Sequence, residues 1–306
     1  MKKSEILFLY ETSYNIPNGD PFTGEQRYDE ETKKILVSDV RIKRFIRTYL
    51  EDIEGEHIYV SENTGAGKTD SKGVLTWIAQ NWNTNQETNI AEIMKELIDV
   101  RLFGGISTLD KNMKVGKQEF VNGHVQFTGP VQFAALNPSL NRVNLRMHQN
   151  TSHFTSKDDK AQGAISTTTL VPYSVVQIHG WINPTVAKNT DLKEEDLQKM
   201  FKALWYGIGG EGSSFSRSKV GQDSLLLLVI DYKQDFDKVY GVDRTIKLVP
   251  KSLKDEQIRS MEDYTLDFSK LKDLAKNDKI EKIRFYTEID EIKNELNGEK
   301  FEEMSL

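Results

Sequence analysis

The sequence predicts an α+β fold, in which helices lie on one face of a sheet, and three observations predict it. An apolar run, Ile6–Tyr10, passes through a turn-rich loop into a stretch whose apolar residues fall at Ile42, Phe45, Ile46, Tyr49, Leu50 and Ile53, the spacing of one buried helical stripe. Far along the chain, Leu192, Leu197, Met200, Phe201, Leu204 and Trp205 repeat that spacing. A Gly- and Ser-rich loop then leads into Leu225–Ile230, a continuous apolar run that reads as a buried strand. Strand–loop–helix at the start and helix–loop–strand later are the parts of a helix layer on a sheet.

Ile6–Tyr10, bounded by turn signals, reads as the first strand. Pro17-Asn18-Gly19-Asp20-Pro21 is a dense turn signal, and a polar run then leads to Val37-Ser38. Ser38 is placed to cap the helix that follows, with Asp39 in its first turn. At about 100° per residue, Arg41, Lys43, Arg44 and Arg47 occupy the arc opposite the apolar stripe. That geometry predicts that Lys43, Arg44 and Arg47 point away from the core and that their loss costs little folding stability. A helix start with free N–H groups, a positive dipole end and nearby cations is a phosphate-binding arrangement. Cations on a helix face are by themselves only a solvated surface, and the turn-rich loop in front is what favours the binding reading.

The span from His57 to Asn89 is polar and contains Gly65-Ala66-Gly67-Lys68-Thr69. A P-loop needs glycine where Glu62 stands and an apolar strand running in, so an exposed loop is expected there and no nucleotide cofactor. Ile90, Ile93, Met94, Leu97, Ile98 and Leu102 mark a second helix closed by Gly104-Gly105. Arg101 near its end suits either the dipole or an RNA contact. Glu119–Leu136 suggests one or two strands, interrupted at Gly123 and Gly129-Pro130. From Asn137 to Thr169 the chain is polar and without period, which marks a functional or disordered segment. Its Arg142, Arg146 and His148 are candidates for phosphate, whereas His148 and His153 lack the third ligand that a metal site needs.

Tyr173–Trp181 reads as a strand, and the helix after it is expected to be capped by Thr190 or Asp191 and stopped by Gly207. The loop Gly209–Gln222 carries Arg217 and Lys219, so its backbone and cations suit a phosphate, or it is a plain connector. Thr245–Val249 is a possible strand, Leu266–Phe285 mixes signals, and the acidic end, Glu288–Leu306, is expected to fray.

A chain of 306 residues can bury a substantial core, in one domain or two. It has no cysteine, which excludes disulfides and thiolate metal sites. The apolar run Ile6–Tyr10 behind Met1-Lys2-Lys3 is too short for a signal sequence or a membrane span, so a soluble, cytoplasmic protein without membrane contact is expected. The net charge of −6 argues against a simple nucleic-acid binder. The charge is uneven, however. Residues 251–306 hold 11 Lys and Arg against 15 Asp and Glu, while Lys33–Arg47 holds six cations against Asp39 alone. The basic surface is local.

An N-terminal strand, the loop around Asn15–Pro21, and then Val37–Arg47 (VSDVRIKRFIR) closely resemble the backbone subunit of CRISPR type I effector complexes (Cascade) of the type I-B kind, in the RAMP superfamily. The usual loop is N-P-N-G-D-P, and here Ile16 replaces its first proline. Further matches are Arg101–Gly105 (RLFGG), Gly129–Phe133 (GPVQF), Ser139–Val143 (SLNRV) and Ser216–Gln222 (SRSKVGQ), so the resemblance spans roughly residues 5 to 231. They are specific in combination and order.

The resemblance implies one domain over 1–306 with a ferredoxin-like (RRM-like) palm. It also implies a finger-like insertion at about 55–128, a thumb-like loop at about 150–170 and an acidic C-terminal tail from 288. It implies a non-catalytic subunit that polymerises head-to-tail with other copies of itself along a CRISPR RNA. The guide's bases are left to pair with target DNA, beside other Cascade subunits and a recruited helicase–nuclease. On this reading the RNA-binding residues are Asn18, Ser38, Arg41, Lys43, Arg44, Arg47, Arg142, Arg146, His148, Arg217 and Lys219. The rival is a type III-like subunit that cuts target RNA through an acidic loop residue. Asp20, Asp29 and Asp39 are its candidates, although Asp20 reads better as a turn residue and Asp39 as a helix-start residue. A general RNA-binding module outside any guide complex fits the ordered motifs less well.

Overall fold

The computed structural model describes residues 1–61, 71–82, 87–110, 112–115, 118–151, 165–210, 212, 215–252 and 254–306. The chain opens with β1 (Ser4–Asn15), the hairpin strands β2 (Tyr28–Asp29) and β3 (Lys34–Ser38), and helix α1 (Asp39–Asp52). Next come α2 (Ser71–Trp82), β4 (Glu87–Asn89), α3 (Ile90–Glu96), α4 (Ile98–Phe103), β5 (Gly104–Thr108), β6 (Asn112–Val115), β7 (Gln118–Val121) and β8 (His124–Thr128). The middle holds β9 (Val131–Phe133), β10 (Leu136–Pro138), β11 (Arg146–Thr151), β12 (Ile165–Ile182), α5 (Pro184–Thr190), α6 (Glu194–Gly207) and β13 (Gln222–Tyr232). The chain closes with β14 (Lys247–Pro250), β15 (Tyr264–Asp267), α7 (Ser269–Ala275), β16 (Ile280–Tyr286), α8 (Asp290–Glu295) and β17 (Phe301–Glu303).

β1 is the centre of the main sheet. It runs antiparallel to β12 on one side and to β13 on the other. β16 pairs antiparallel with β13, and β17 lies parallel on β16 at that edge. The long strand β12 takes two partners at the opposite edge: β9 beside Gly180–Ile182 and β11 beside Ile165–Leu170. Alternation along β1 then sorts the core. Ile6, Phe8 and Tyr10 join the apolar stripes of α1 and α6, whereas Leu7 and Leu9 join Ile258, Phe268 and Leu271 behind the sheet. Both faces are covered, which explains why Leu225–Ile230 is apolar without alternation. Helices were expected on one face only; the second layer comes from residues beyond Tyr232, where periodicity was weakest. A third cluster, including Tyr59, Leu75, Ile90, Met94, Val100 and Phe120, packs apart from these two.

Three boundaries differ from expectation. The second helix is two short ones, because Leu97 adopts an extended conformation (φ −87°, ψ 121°) between α3 and α4. Its stop at Gly104 holds: φ is 78°, and a Cβ there would lie 2.3 Å from the Phe127 carbonyl oxygen of the paired strand β8. Thr190 and Asp191 do not cap α6 but end α5, with Asp191 left-handed at φ 58°. α6 starts behind Lys193, whose N–H donates to Asp196 at 2.9 Å. Finally, the chain end does not fray: α8 and β17 are formed, and Met304 and Leu306 pack on the main core. The polar span after Asn137 contains a regular ribbon, β11 against the start of β12. The Gly65–Thr69 loop, His153 and Phe154 lie outside the described residues. Among the described residues no helix is long and apolar enough to cross a membrane.

Candidate nucleic-acid interface

Three segments meet at one end of the sheet: the loop after β1, the start of α1, and the run Ser216–Gln222 that enters β13. Asn15 Nδ2 donates to the carbonyls of Val220 (2.8 Å) and Gly221 (2.9 Å), and the Ile16 N–H donates to Ser218 O at 3.2 Å. Gly221 has φ 82°, and a Cβ there would meet Ser13 O at 3.0 Å, so this close approach needs glycine. Lys219 Nζ donates to Ile16 O (2.6 Å) and Pro17 O (3.2 Å), which clips the Gly-rich segment onto the loop. On the other side, buried Asn18 accepts the Ser38 N–H through Oδ1 at 2.7 Å and donates its own N–H to Gln26 Oε1 at 2.9 Å. Ser38 caps α1 as expected, its Oγ accepting the Arg41 N–H at 3.4 Å.

Among the described residues, no carboxylate acts on the two cations at the centre of this junction, Arg41 and Lys219. The Arg41 guanidinium lies over the Phe45 ring, 3.7 Å from its centroid, with Nε and Nη2 buried and without hydrogen-bond partners among the described residues. Burial pulls its pKa down to about 10, with the nearby Tyr10 opposing and Arg44 adding to that shift. Burial, helped by the positive charge of Arg41, lowers Lys219 to about 7. Both side-chain acceptors of Lys219 are carbonyls rather than carboxylates. The Tyr10 hydroxyl and Gln222 Oε1 are likewise buried without partners among the described residues. Unpaired buried donors on cations that lack a counterion call for an anion or ordered water.

The other expected residues fall into two groups. Lys43 and Arg47 do not point to open solvent, which corrects the sequence expectation. The arc opposite the apolar stripe abuts α4 and β9. Lys43 Nζ reaches Asp39 (3.3 Å) and Gln132 (3.1 Å), and Arg47 Nε pairs with fully buried Asp99 at 2.8 Å. Both cations also lie over the Phe103 ring. Arg44 is half-buried beside them. Arg101 has a structural role, a two-point pair with Asp196 (2.9 and 2.7 Å).

Exposed Arg217 lies two residues before Lys219. Arg146 and His148 are exposed on β11, and the Arg146 register partner Leu170 adjoins Val171, which pairs with Asn15 of β1. The ribbon therefore emerges beside the junction. Arg142 is exposed but turned to Asp255, which accepts its backbone N–H at 3.0 Å. Asp20, Asp29 and Asp39 are all engaged locally: Asp20 accepts Phe22 N–H (2.9 Å) and pairs with Arg27 (3.1 Å), Asp29 accepts the Thr32 hydroxyl (2.6 Å), and Asp39 takes Lys43.

Sequence reasoning missed Tyr10, Gln222 and the Phe45 platform, since nothing in the linear pattern marks them. It also missed Asp99, although an acid set between Ile98 and Val100 signals a buried charge in need of a partner.

The profile of the family described as CRISPR-associated protein Cas7 matches residues 2–269. A protein named CRISPR-associated protein Cas7 from Haloferax volcanii is 26% identical over 284 residues, covering 89% of this chain and 82% of that relative. Two solved structures share the fold at 12% identity. A chain of a CRISPR RNA-guided surveillance complex in a pre-nicking state gives a TM-score of 0.52, with 94% of this chain and 93% of that one covered. A chain of another CRISPR RNA-guided surveillance complex gives 0.50, with 94% and 89% covered.

Proposed function

The chain belongs to the CRISPR-associated Cas7 family, and on that footing we propose that it is the repeated, non-catalytic backbone subunit of a type I surveillance complex of the I-B kind. Its task is to hold a CRISPR RNA by the sugar–phosphate backbone. The observation that carries this is the junction itself, where among the described residues Arg41 and Lys219 converge without counterions, exposed Arg217 stands alongside, and Arg41 donors are left unpaired. Such a site suits a phosphate and reads no base. Asn18 and Ser38 hold the junction's backbone in shape, and Arg146 and His148 on the ribbon extend the contact toward a thumb at about 150–170.

The strand order β13-β1-β12-β9, with α1 and α6 as the crossovers, supports a ferredoxin-like palm. The separate cluster around Tyr59, Met94 and Phe120 supports a finger at about 55–128. Copies would line up head-to-tail along one guide, with guide bases exposed to target DNA, in a cytoplasmic complex with other Cascade subunits and a recruited helicase–nuclease. The local engagement of Asp20, Asp29 and Asp39 gives the nuclease alternative no support.

The test is the nucleic acid that co-purifies with the protein from cells carrying a CRISPR array. RNA of uniform length, containing repeat and spacer sequence, is the expected result. Absence of RNA, or RNA of random length and origin, would oppose the reading.

A further inference from the structure

We propose that Lys219 takes up a proton when an RNA phosphate enters the Arg41–Lys219 junction, so that guide binding is proton-linked. The inference rests on the reading of this junction as an RNA site and adds how that site is regulated.

Without RNA, Lys219 Nζ touches two neutral carbonyls, Ile16 O and Pro17 O. A neutral amine still has two N–H bonds, so both contacts survive loss of the proton. Among the described residues, the groups around it are cationic or neutral. Arg41 of α1 is the charged group that acts on it, and it is of like sign. Tyr10 of β1 is held un-ionised by burial. Gln222 of β13 donates to the Lys219 carbonyl at 2.7 Å. Glu11 and Asp223, paired in register, face the other side of the sheet, where Tyr173 donates to Glu11. Arg217 lies outside, exposed.

Burial and Arg41 therefore hold Lys219 near 7, so that at neutral pH the free protein is a mixture of amine and ammonium. A phosphate reverses both influences, because it pairs the ammonium and neutralises Arg41. The proton comes from solvent on binding and returns to it on release. If bound RNA restores the ordinary lysine value of ~10.4, affinity falls about twentyfold from pH 6.5 to 8.5.

The experiment measures binding of a short single-stranded RNA to the full chain by fluorescence anisotropy. It runs from about pH 6.5 to 8.5 at fixed ionic strength, with titration calorimetry in two buffers of different ionisation enthalpy. Wild type should lose affinity about twentyfold and take up close to one proton at the upper pH. Lys219→Arg, charged throughout, and Lys219→Met, neutral throughout, should both lose the pH dependence, with Lys219→Met weaker at low pH. Thermal melts establish that each variant is folded. If one variant does not fold, the buffer-dependent enthalpy of wild type alone decides. RNA binding with no proton uptake, or an unchanged pH slope in Lys219→Arg, overturns the proton linkage and leaves the RNA site standing. No RNA binding at any pH overturns both.

Discussion

Arg47 and Asp99 form a buried ion pair, Nε to Oδ2 at 2.8 Å, with the Asp99 side chain fully buried. Asp99 also accepts the N–H groups of Tyr59 (2.7 Å) and Val60 (3.2 Å). One carboxylate thus ties α1, α4 and the chain after α1 together. A helical arc that looks like a binding face is partly an internal seam.

Arg47→Ala should therefore destabilise the protein, by about 3–5 kcal/mol, because it leaves a buried carboxylate without its counter-charge. Urea unfolding checks this. A cost under about 0.5 kcal/mol, the figure for exposed sites, would mean that the pair is not buried as described.

Asn18→Ala removes the acceptor of the Ser38 N–H inside the junction and should cost about 1–3 kcal/mol. RNA affinity should fall with it, because the loop is no longer fixed to the helix start. Melting and RNA binding measured on the same preparation test both halves; loss of binding with unchanged melting would instead make Asn18 a direct RNA contact.

Arg41→Met should behave in the opposite way. Two of the Arg41 nitrogens are buried and unpaired, so the free protein keeps this cation at a cost to stability. The variant should melt at or above the wild-type temperature while binding RNA more weakly. A clear drop in melting temperature would show that the Phe45 stacking outweighs the unpaired charge.

Burial raises the Glu11 carboxyl above its ordinary value, opposed by the hydrogen bond from Tyr173. A raised carboxylate contributes stability that is full below its unfolded pKa and lost as pH rises through its folded one. Glu11→Gln, which can still accept from Tyr173, should gain stability over wild type at pH ~7.5 and little at pH ~4.5. Urea midpoints at the two values test the sign.

Much of the main sheet and its helix layer was legible, because the strands and α1 announce themselves by apolar spacing. Ser38, Asp39 and Gly104 do what capping chemistry demands. What was not legible depends on distant partners. Asp99 turns Arg47 inward from 52 residues away, and Leu97 breaks a stripe that is periodic on both sides. Charge on a helix arc says only which residues are off the core-facing stripe; it cannot say what else packs there. Lys219 was singled out from its Gly-rich loop, but its clip to Ile16 and Pro17 is a tertiary fact with no local signature.

Whether the junction holds RNA by phosphate contacts alone is read out by filter binding of single-stranded RNA across a salt series, wild type against Arg217→Ala. Arg217 is exposed, so its loss should leave melting unchanged. Affinity should fall steeply with salt, blind to sequence, with a log–log slope shallower by about 0.7 in the variant. A flat salt response, strong preference for one short sequence, or an unchanged slope in Arg217→Ala would contradict it.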